Sequence, residues 1–253
     1  EPKCREIFKL PYYPDRIVQH AVMNVLKPIL LNKFIENSYA CVENRGQHKA
    51  ADKCRQFVQK YDYCLKCDIR KFYPSIDQKI LSQMLHAFIK DVRFMSVVDN
   101  IIFSFPGGKN CPIGNYCSQW FGNFYLTQLD NFVYHHLKCH AYLRYCDDFL
   151  LFSADKNFLC DCKNQIGVFL CDALELKFSK ATIFNVKQGV DFCGYRLFRR
   201  FVLIRKSTAL RIRRRLTAIE NALNTSISVN RLKRFCGQLA ARSEEHTSEL
   251  QSR

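Results

Sequence analysis

The sequence predicts an α+β fold, on three observations. Some segments place apolar residues at helical spacing while others hold short alternating or continuous apolar runs. The two kinds are interspersed without strict strand–helix–strand alternation, and no Gly/Ser linker or internal repeat divides the chain. With 253 residues, 48% hydrophobic and 13% aromatic, the chain can bury a sizeable core without metal or disulfide staples; it is neither disordered nor low-complexity.

In chain order, residues 16–34 set Ile17, Val18, Ala21, Val22, Val25, Leu26, Ile29 and Leu30 at helical spacing, predicting one amphipathic helix. Residues 63–69 read as a strand with Leu65, Cys67 and Ile69 on one face. Helical periodicity returns over 77–90 through Ile80, Leu81, Met84, Leu85 and Phe88, with Ser75 or Asp77 able to cap it. Pro106-Gly107-Gly108 is a turn signal, and 119–137 is an aromatic-rich helix. Two apolar runs, 141–144 and 149–152, straddle Tyr145-Cys146-Asp147-Asp148, which predicts a hairpin with acids at its tip. Residues 158–174 are helical, 192–198 and 201–204 suggest a second hairpin, and 208–223 is a basic helix.

A net charge of +16 points to a polyanionic partner, nucleic acid before others. No apolar run is long enough for a transmembrane helix, and no signal peptide opens the chain, so a cytoplasmic protein with no membrane partner is expected. The fourteen Cys are scattered, which suits reduced thiols; Cys64 and Cys67 have zinc-knuckle spacing without a matching second pair. The chain opens on Glu, so its start is expected to be missing. Residues 242–253 read like a translated sequencing adapter and are set aside from the fold.

Adjacent carboxylates among apolar neighbours repel and are costly to desolvate, so Asp147-Asp148 asks for a divalent cation. Asp68 ends the apolar strand at 63–69 and is a third acid of the same kind. Hard carboxylate oxygens favour Mg²⁺, and two such ions ~4 Å apart suit activation of a hydroxyl and stabilisation of a leaving pyrophosphate. By itself, an Asp-Asp pair on a surface turn is most often a solvated turn.

The setting of these acids is more specific. Tyr145-Cys146-Asp147-Asp148 between apolar strands resembles the Tyr-x-Asp-Asp box of reverse transcriptases, and other blocks follow in that family's order. The run from Asp68 through Arg70, Phe72 and Tyr73 to Asp77 is similar to the first catalytic-acid block of the bacterial group II intron-like branch. Pro112-Ile113-Gly114-Asn115-Tyr116-Cys117-Ser118-Gln119 resembles the template- and nucleotide-contacting block, and Phe192-Cys193-Gly194-Tyr195 the primer-grip hairpin. Residues 5–11 and 15–20 resemble fingers blocks.

The resemblance implies a right-hand polymerase: fingers over 1–67, an antiparallel-sheet palm over 68–198 with a fingers-side insertion at about 78–110, and the start of a helical thumb over 199–241. Asp68, Asp147 and Asp148 would be the catalytic acids and, with Ile69, the metal-binding set for two Mg²⁺ ions. Tyr73 would be the steric gate against a ribose 2′-hydroxyl. Ile113, Gly114, Ser118 and Gln119 would face the nucleotide, as would Arg5, Arg16 and Arg45, and Lys180 would protonate the departing pyrophosphate. Cys193, Gly194 and Tyr195 would form the primer grip. The partners would be an RNA template, a DNA or RNA primer and deoxynucleoside triphosphates. Two departures stand out: Val42 replaces a usual basic residue, and Ala181 stands where relatives place Lys, with Lys180 one position earlier.

The Ile-Gly-x-x-x-Ser-Gln form of residues 113–119, in place of the commoner Gln-Gly-x-x-x-Ser-Pro, resembles reverse transcriptases of diversity-generating retroelements. That implies an error-prone, bacterial or phage-encoded enzyme working with an accessory variability protein. Ile113 has no donor or acceptor where an amide would check the incoming nucleotide. Other readings are a group II intron-like or phage-defence reverse transcriptase, or an RNA-binding scaffold without chemistry. The Arg-rich stretch from Arg199 to Arg234 suits sequence-independent phosphate contacts, though a solvated helix face has the same composition.

Overall fold

The computed structural model describes residues 11–112 and 115–224, with side chains to 221. A kinked turn, Tyr12–Arg16, leads into α1 (Ile17–Leu31). Only part of the expected apolar set of α1 is buried: Val22, Leu26 and Leu30 face the core, joined by Met23, while Ile17, Val18 and Val25 are exposed. Next comes α2 (Gly46–Lys60), which the sequence reading did not predict. Its inward face consists of the small residues Ala50, Ala51, Cys54 and Val58, a weak periodic signal in a polar segment.

Strand β1 spans Tyr63–Ile69 as predicted. After Lys71, which is in the left-handed region, the short α3 (Phe72–Ser75) leads to α4 (Gln78–His86). The Asp77 carboxylate caps α4 by accepting from the Lys79 and Ile80 amides at 2.9 and 3.0 Å. This helix stops short of Lys90, and a separate α5 (Val92–Ile102) begins behind its own cap, Asp91. The expected helix over 119–137 is three pieces: α6 (Tyr116–Tyr125), α7 (Thr127–Asn131) and a π turn, Phe132–His136.

The predicted acid-tipped hairpin is β2 (Tyr142–Tyr145) and β3 (Asp148–Ser153), followed by α8 (Lys156–Leu174). Strand β4 (Phe178–Asn185) is an unpredicted edge strand, half-buried except at the exposed Ser179, Lys180 and Thr182. The last region holds β5 (Val190–Phe192), β6 (Tyr195–Leu197) and β7 (Val202–Ile204), a three-stranded sheet where a single hairpin was expected, and then α9 (Lys206–Asn224). Here Cys193 (φ 47°) and Gly194 (φ 84°) turn the chain between β5 and β6 and split the run at 192–198.

The main sheet is antiparallel with order β2-β3-β1-β4. Its two faces follow from strand alternation. Leu65, Cys67, Phe149, Leu151 and Tyr142 face the larger core, closed by α1, α6, α7 and α8. Cys64, Leu143, Leu150 and Phe152 face a smaller core under α2 and the second sheet. Fully burying a side chain such as Phe149 contributes ~1.5–3 kcal/mol. Cys64 and Cys67 lie on opposite faces of β1, so their spacing does not bring the thiols together. Among the described residues, no helix is long and apolar enough to cross a membrane.

Candidate active site

The acids converge through strand register. Asp68 is the Cα partner of Asp148 in the β1–β3 ladder and of Lys180 in the β1–β4 ladder, and Asp148 pairs with Tyr145 of β2. Directly opposed residues share a face, so Tyr145, Asp148, Asp68 and Lys180 form one row across the sheet, on the side of the smaller core. The β1–β4 register slips between Asp68 and Ile69, a bulge at the end of the row. Asp147 lies on the tight β2–β3 turn beside Asp148, and all three carboxylates are half-buried.

Asp148 shows the electrostatic cost. Burial pushes its carboxyl up to about 6, Asp68 and Asp147 adding to the rise and Lys66 opposing it. The Lys66 ammonium stands 3.1 Å from Asp148 Oδ2 and donates to the Asp191 carbonyl at 2.5 Å, while Asp148 Oδ1 is buried with no hydrogen-bond partner. Among the described residues, no three His, Cys, Asp or Glu side chains stand close enough as they lie to hold a metal ion. The donor set nonetheless fits a hard divalent cation: opposed carboxylates, a third acid on the adjoining turn, and an orphaned buried oxygen.

The β5–β6 hairpin approaches the same row. Cys193 is close enough to Asp148 and Lys66 for both to act on its thiol, which burial above all pushes well up. Tyr195 Oη meets His48 Nδ1 of α2 at 3.0 Å, and Gly194 accepts at its carbonyl from the Arg205 amide at 2.9 Å.

A family model described as reverse transcriptase (RNA-dependent DNA polymerase) matches residues 3–197. The chain belongs to the reverse transcriptase family. Its curated relatives include nuclear intron maturase 4, mitochondrial, of Arabidopsis thaliana, 26% identical over 52% of this chain and 18% of the relative. Protein YkfC of Escherichia coli is 22% identical over 76% of this chain and 62% of its own length. The chain thus spans under a fifth of the maturase and less than two thirds of YkfC. Telomerase of Candida tropicalis in complex with a fragment of telomeric RNA superimposes with a TM-score of 0.60, at 14% identity, over 78% of this chain and 38% of that one. The apo telomerase truncated from its C-terminal domain gives 0.53 at 16% identity, over 76% of this chain and 45% of that one. This likeness shows a shared polymerase fold of mixed helix and antiparallel sheet.

In this member of the family the remaining residues singled out by sequence divide sharply. Tyr73 is half-buried beside the hairpin tip: burial raises its hydroxyl well above the usual range, with Cys146, Cys41, Cys111 and Asp147 adding to the rise. Lys180 is exposed on the acid face, whereas Ala181 pairs across Cys67 and packs on the larger core. Gln119 is exposed, and its Oε1 accepts from Cys41 Sγ at 3.3 Å.

Ser118 is buried and its hydroxyl donates to the Pro112 carbonyl at 2.6 Å, which braces its own block. The Arg45 guanidinium donates to the Ile35 and Ser38 carbonyls at 2.5 and 2.8 Å, so its donors close the loop at 35–45. The Ile69 side chain points into the larger core, leaving only its main-chain carbonyl as a possible ligand. Arg16 is exposed at the foot of α1. Arg5, Ile113, Gly114 and residues 225–253 lie outside the described residues.

Sequence reasoning missed Arg144 and Asp130. Both are fully buried, Arg144 on β2 and Asp130 on α7, paired at 2.6 Å. Burial alone would favour a neutral Arg144, but the charge and hydrogen bonds of Asp130 outweigh it and hold the guanidinium charged. Tyr142 Oη also donates to Asp130, at 2.7 Å. The available signal was opposite charges at 130 and 144, each set among apolar residues of an otherwise inward-facing run.

Proposed function

We propose that the chain is an RNA-directed DNA polymerase that extends a primer 3′-hydroxyl on an RNA template with deoxynucleoside triphosphates. The carrying observation is the cross-strand pairing of Asp68 with Asp148, next to Asp147, around a buried oxygen without a partner. Asp68, Asp147 and Asp148 would hold two Mg²⁺ ions, which when bound activate the 3′-hydroxyl and stabilise the leaving pyrophosphate. Lys180, across from Asp68, donates a proton to the departing pyrophosphate oxygen. The Tyr73 ring closes the space a ribose 2′-hydroxyl would need, and the Cys193–Tyr195 turn guides the primer end toward the acids. In this reading 1–67 are fingers, 68–198 palm and 199–241 the start of a thumb, whose basic α9 grips the duplex backbone.

Primer extension on poly(rA)/oligo(dT) with Mg²⁺, against Asp147→Ala, is the direct test. Synthesis by the native chain and none by the variant is expected; no synthesis by a folded native chain favours the RNA-binding scaffold.

The finer reading is a diversity-generating reverse transcriptase, supported by the Ile113-Gly114 and Ser118-Gln119 pattern. Loss of one hydrogen bond to the nucleotide relaxes discrimination by ~1–3 kcal/mol, roughly five- to 150-fold in error rate. Ile113→Gln is expected to lower misincorporation opposite template adenine, and an unchanged error spectrum refutes this role. A template/variable repeat pair beside the gene separates this reading from a group II intron-like or defence enzyme.

A further inference from the structure

We propose that Arg144, locked by Asp130, is a positioning residue that sets the acid-bearing turn from the opposite face of the sheet; the inference rests on the polymerase reading above. Arg144 is fully buried, and each of its five N–H groups has a partner. Nε and Nη2 donate to the Asp130 carboxylate at 2.8 and 2.6 Å, and Nη2 also to the Asn123 carbonyl at 3.3 Å. Nη1 donates to Asn123 Oδ1 at 3.0 Å and to the Cys146 carbonyl at 3.1 Å.

The bond to Cys146 is the informative one. Cys146 has φ 53°, a left-handed conformation that a residue with a Cβ adopts at a cost. Such strain persists only where the surroundings over-determine it. A guanidinium fixed by a carboxylate on α7 and an amide on α6 supplies that constraint, and Asp147 and Asp148 follow directly on the residue it holds. Stability alone does not explain the pair, because well-packed apolar residues often replace a buried ion pair without loss. What apolar replacements lack is a directed donor onto Cys146.

The network also ties the turn to the nucleotide-facing side. Asn123 donates to the Ala40 carbonyl at 2.7 Å, the Arg144 amide donates to Asn37, and the Tyr39 amide donates to the Arg144 carbonyl. Gln119 lies on the same helix as Asn123 and meets Cys41. One buried cation therefore joins the acid turn, α6, α7 and the loop at 35–45. Carboxylates that must present oxygens to one cation tolerate little displacement, and a misplacement of about 1 Å costs roughly a hundredfold in rate.

The test uses the whole chain with the double variant Arg144→Met/Asp130→Leu, which keeps the site filled without a buried charge. The expected result is a folded protein that binds primer–template like the native chain, yet has a single-turnover rate per folded molecule roughly ten- to a hundredfold lower and a higher Mg²⁺ midpoint. Native rate and native Mg²⁺ midpoint in the folded variant overturn the proposal. Should the double variant not fold, Arg144→Lys keeps the charge opposite Asp130 but lacks the donors to reach Cys146 as well; the same rate and Mg²⁺ signature is expected, and native kinetics overturn the proposal. Native chain without Mg²⁺-dependent extension removes the polymerase reading; native extension with unaffected variants removes only the positioning role.

Discussion

Asp68 and Asp148 face each other directly across the β1–β3 ladder, with Lys180 completing the row on the far side of Asp68. Residues 80 positions apart in the chain are thereby brought to neighbouring Cβ positions, ~4.5–5.5 Å apart by strand geometry. Like charges so placed destabilise the sheet unless something bridges them. We therefore expect Asp68→Ala and Asp148→Ala each to abolish Mg²⁺-dependent extension while leaving affinity for primer–template unchanged or higher. Filter binding alongside extension separates the two effects. Extension surviving in either variant would remove that acid from the metal site.

The same crowding gives a stability signature. An unfolded Asp titrates near ~3.9, whereas folded Asp148 is pushed up to about 6. The folded state thus holds this proton more tightly, so the contribution favours folding below the unfolded value and is lost as pH rises through the folded one. At neutral pH without metal, Asp148→Asn should be more stable than the native chain by up to ~3 kcal/mol. Thermal melts in EDTA should show that gap shrinking as pH falls from 7 toward 4.5. Mg²⁺ should then raise the native midpoint and leave the variant unmoved. A gap that does not change with pH contradicts this account of Asp148.

Lys180 tests the use of the row for proton transfer. Its side chain is exposed and stands opposite Asp68, while the neighbouring Ala181 faces the core. The one-position displacement of the lysine therefore leaves it on the acid face, where a lysine at 181 would not be. Lys180→Ala should lower the single-turnover rate by about 10²-fold or more, with stability within ~0.5 kcal/mol of native as for an exposed site. Lys180→Arg should retain part of the rate. Rapid-quench incorporation of one nucleotide measures it, and an unchanged rate excludes Lys180 as the acid.

How much of this was legible in the sequence depended on the kind of signal. Strand 63–69 and the acid-tipped hairpin were readable because apolar runs bounded by turn residues leave few alternatives, and their register follows once both faces are apolar. Helix α2 escaped because Ala50, Ala51 and Cys54 bury little surface each. Strand β4 escaped because an edge strand exposed along Ser179 and Lys180 has no apolar alternation. The buried roles of Ser118, Arg45 and Arg144 depend on carbonyls and carboxylates far along the chain or in loops, which no local pattern encodes.

Tyr73 can be tested from its neighbours as well as from its own ring. A Cβ placed on Gly122 of α6 would lie 3.1 Å from ring carbons of both Tyr73 and Phe72. Those rings lie tilted to each other with centroids 5.2 Å apart, and Tyr73 neighbours the hairpin tip, so a methyl there must push them by a few tenths of an ångström. Tyr73→Ala should open space for a 2′-hydroxyl and raise incorporation of ribonucleotides relative to deoxyribonucleotides by roughly tenfold or more, in the range expected for relieving a steric clash. Gly122→Ala keeps the ring and shifts it, so it should change the same ratio by a smaller factor at a stability cost of ~1–3 kcal/mol, as for other overpacked sites. The ratio of kcat/KM for a ribonucleotide and its deoxy counterpart on one primer–template reads both variants. A ratio left unmoved by Tyr73→Ala makes Tyr73 a packing residue, and a Gly122→Ala effect on stability alone would agree with that.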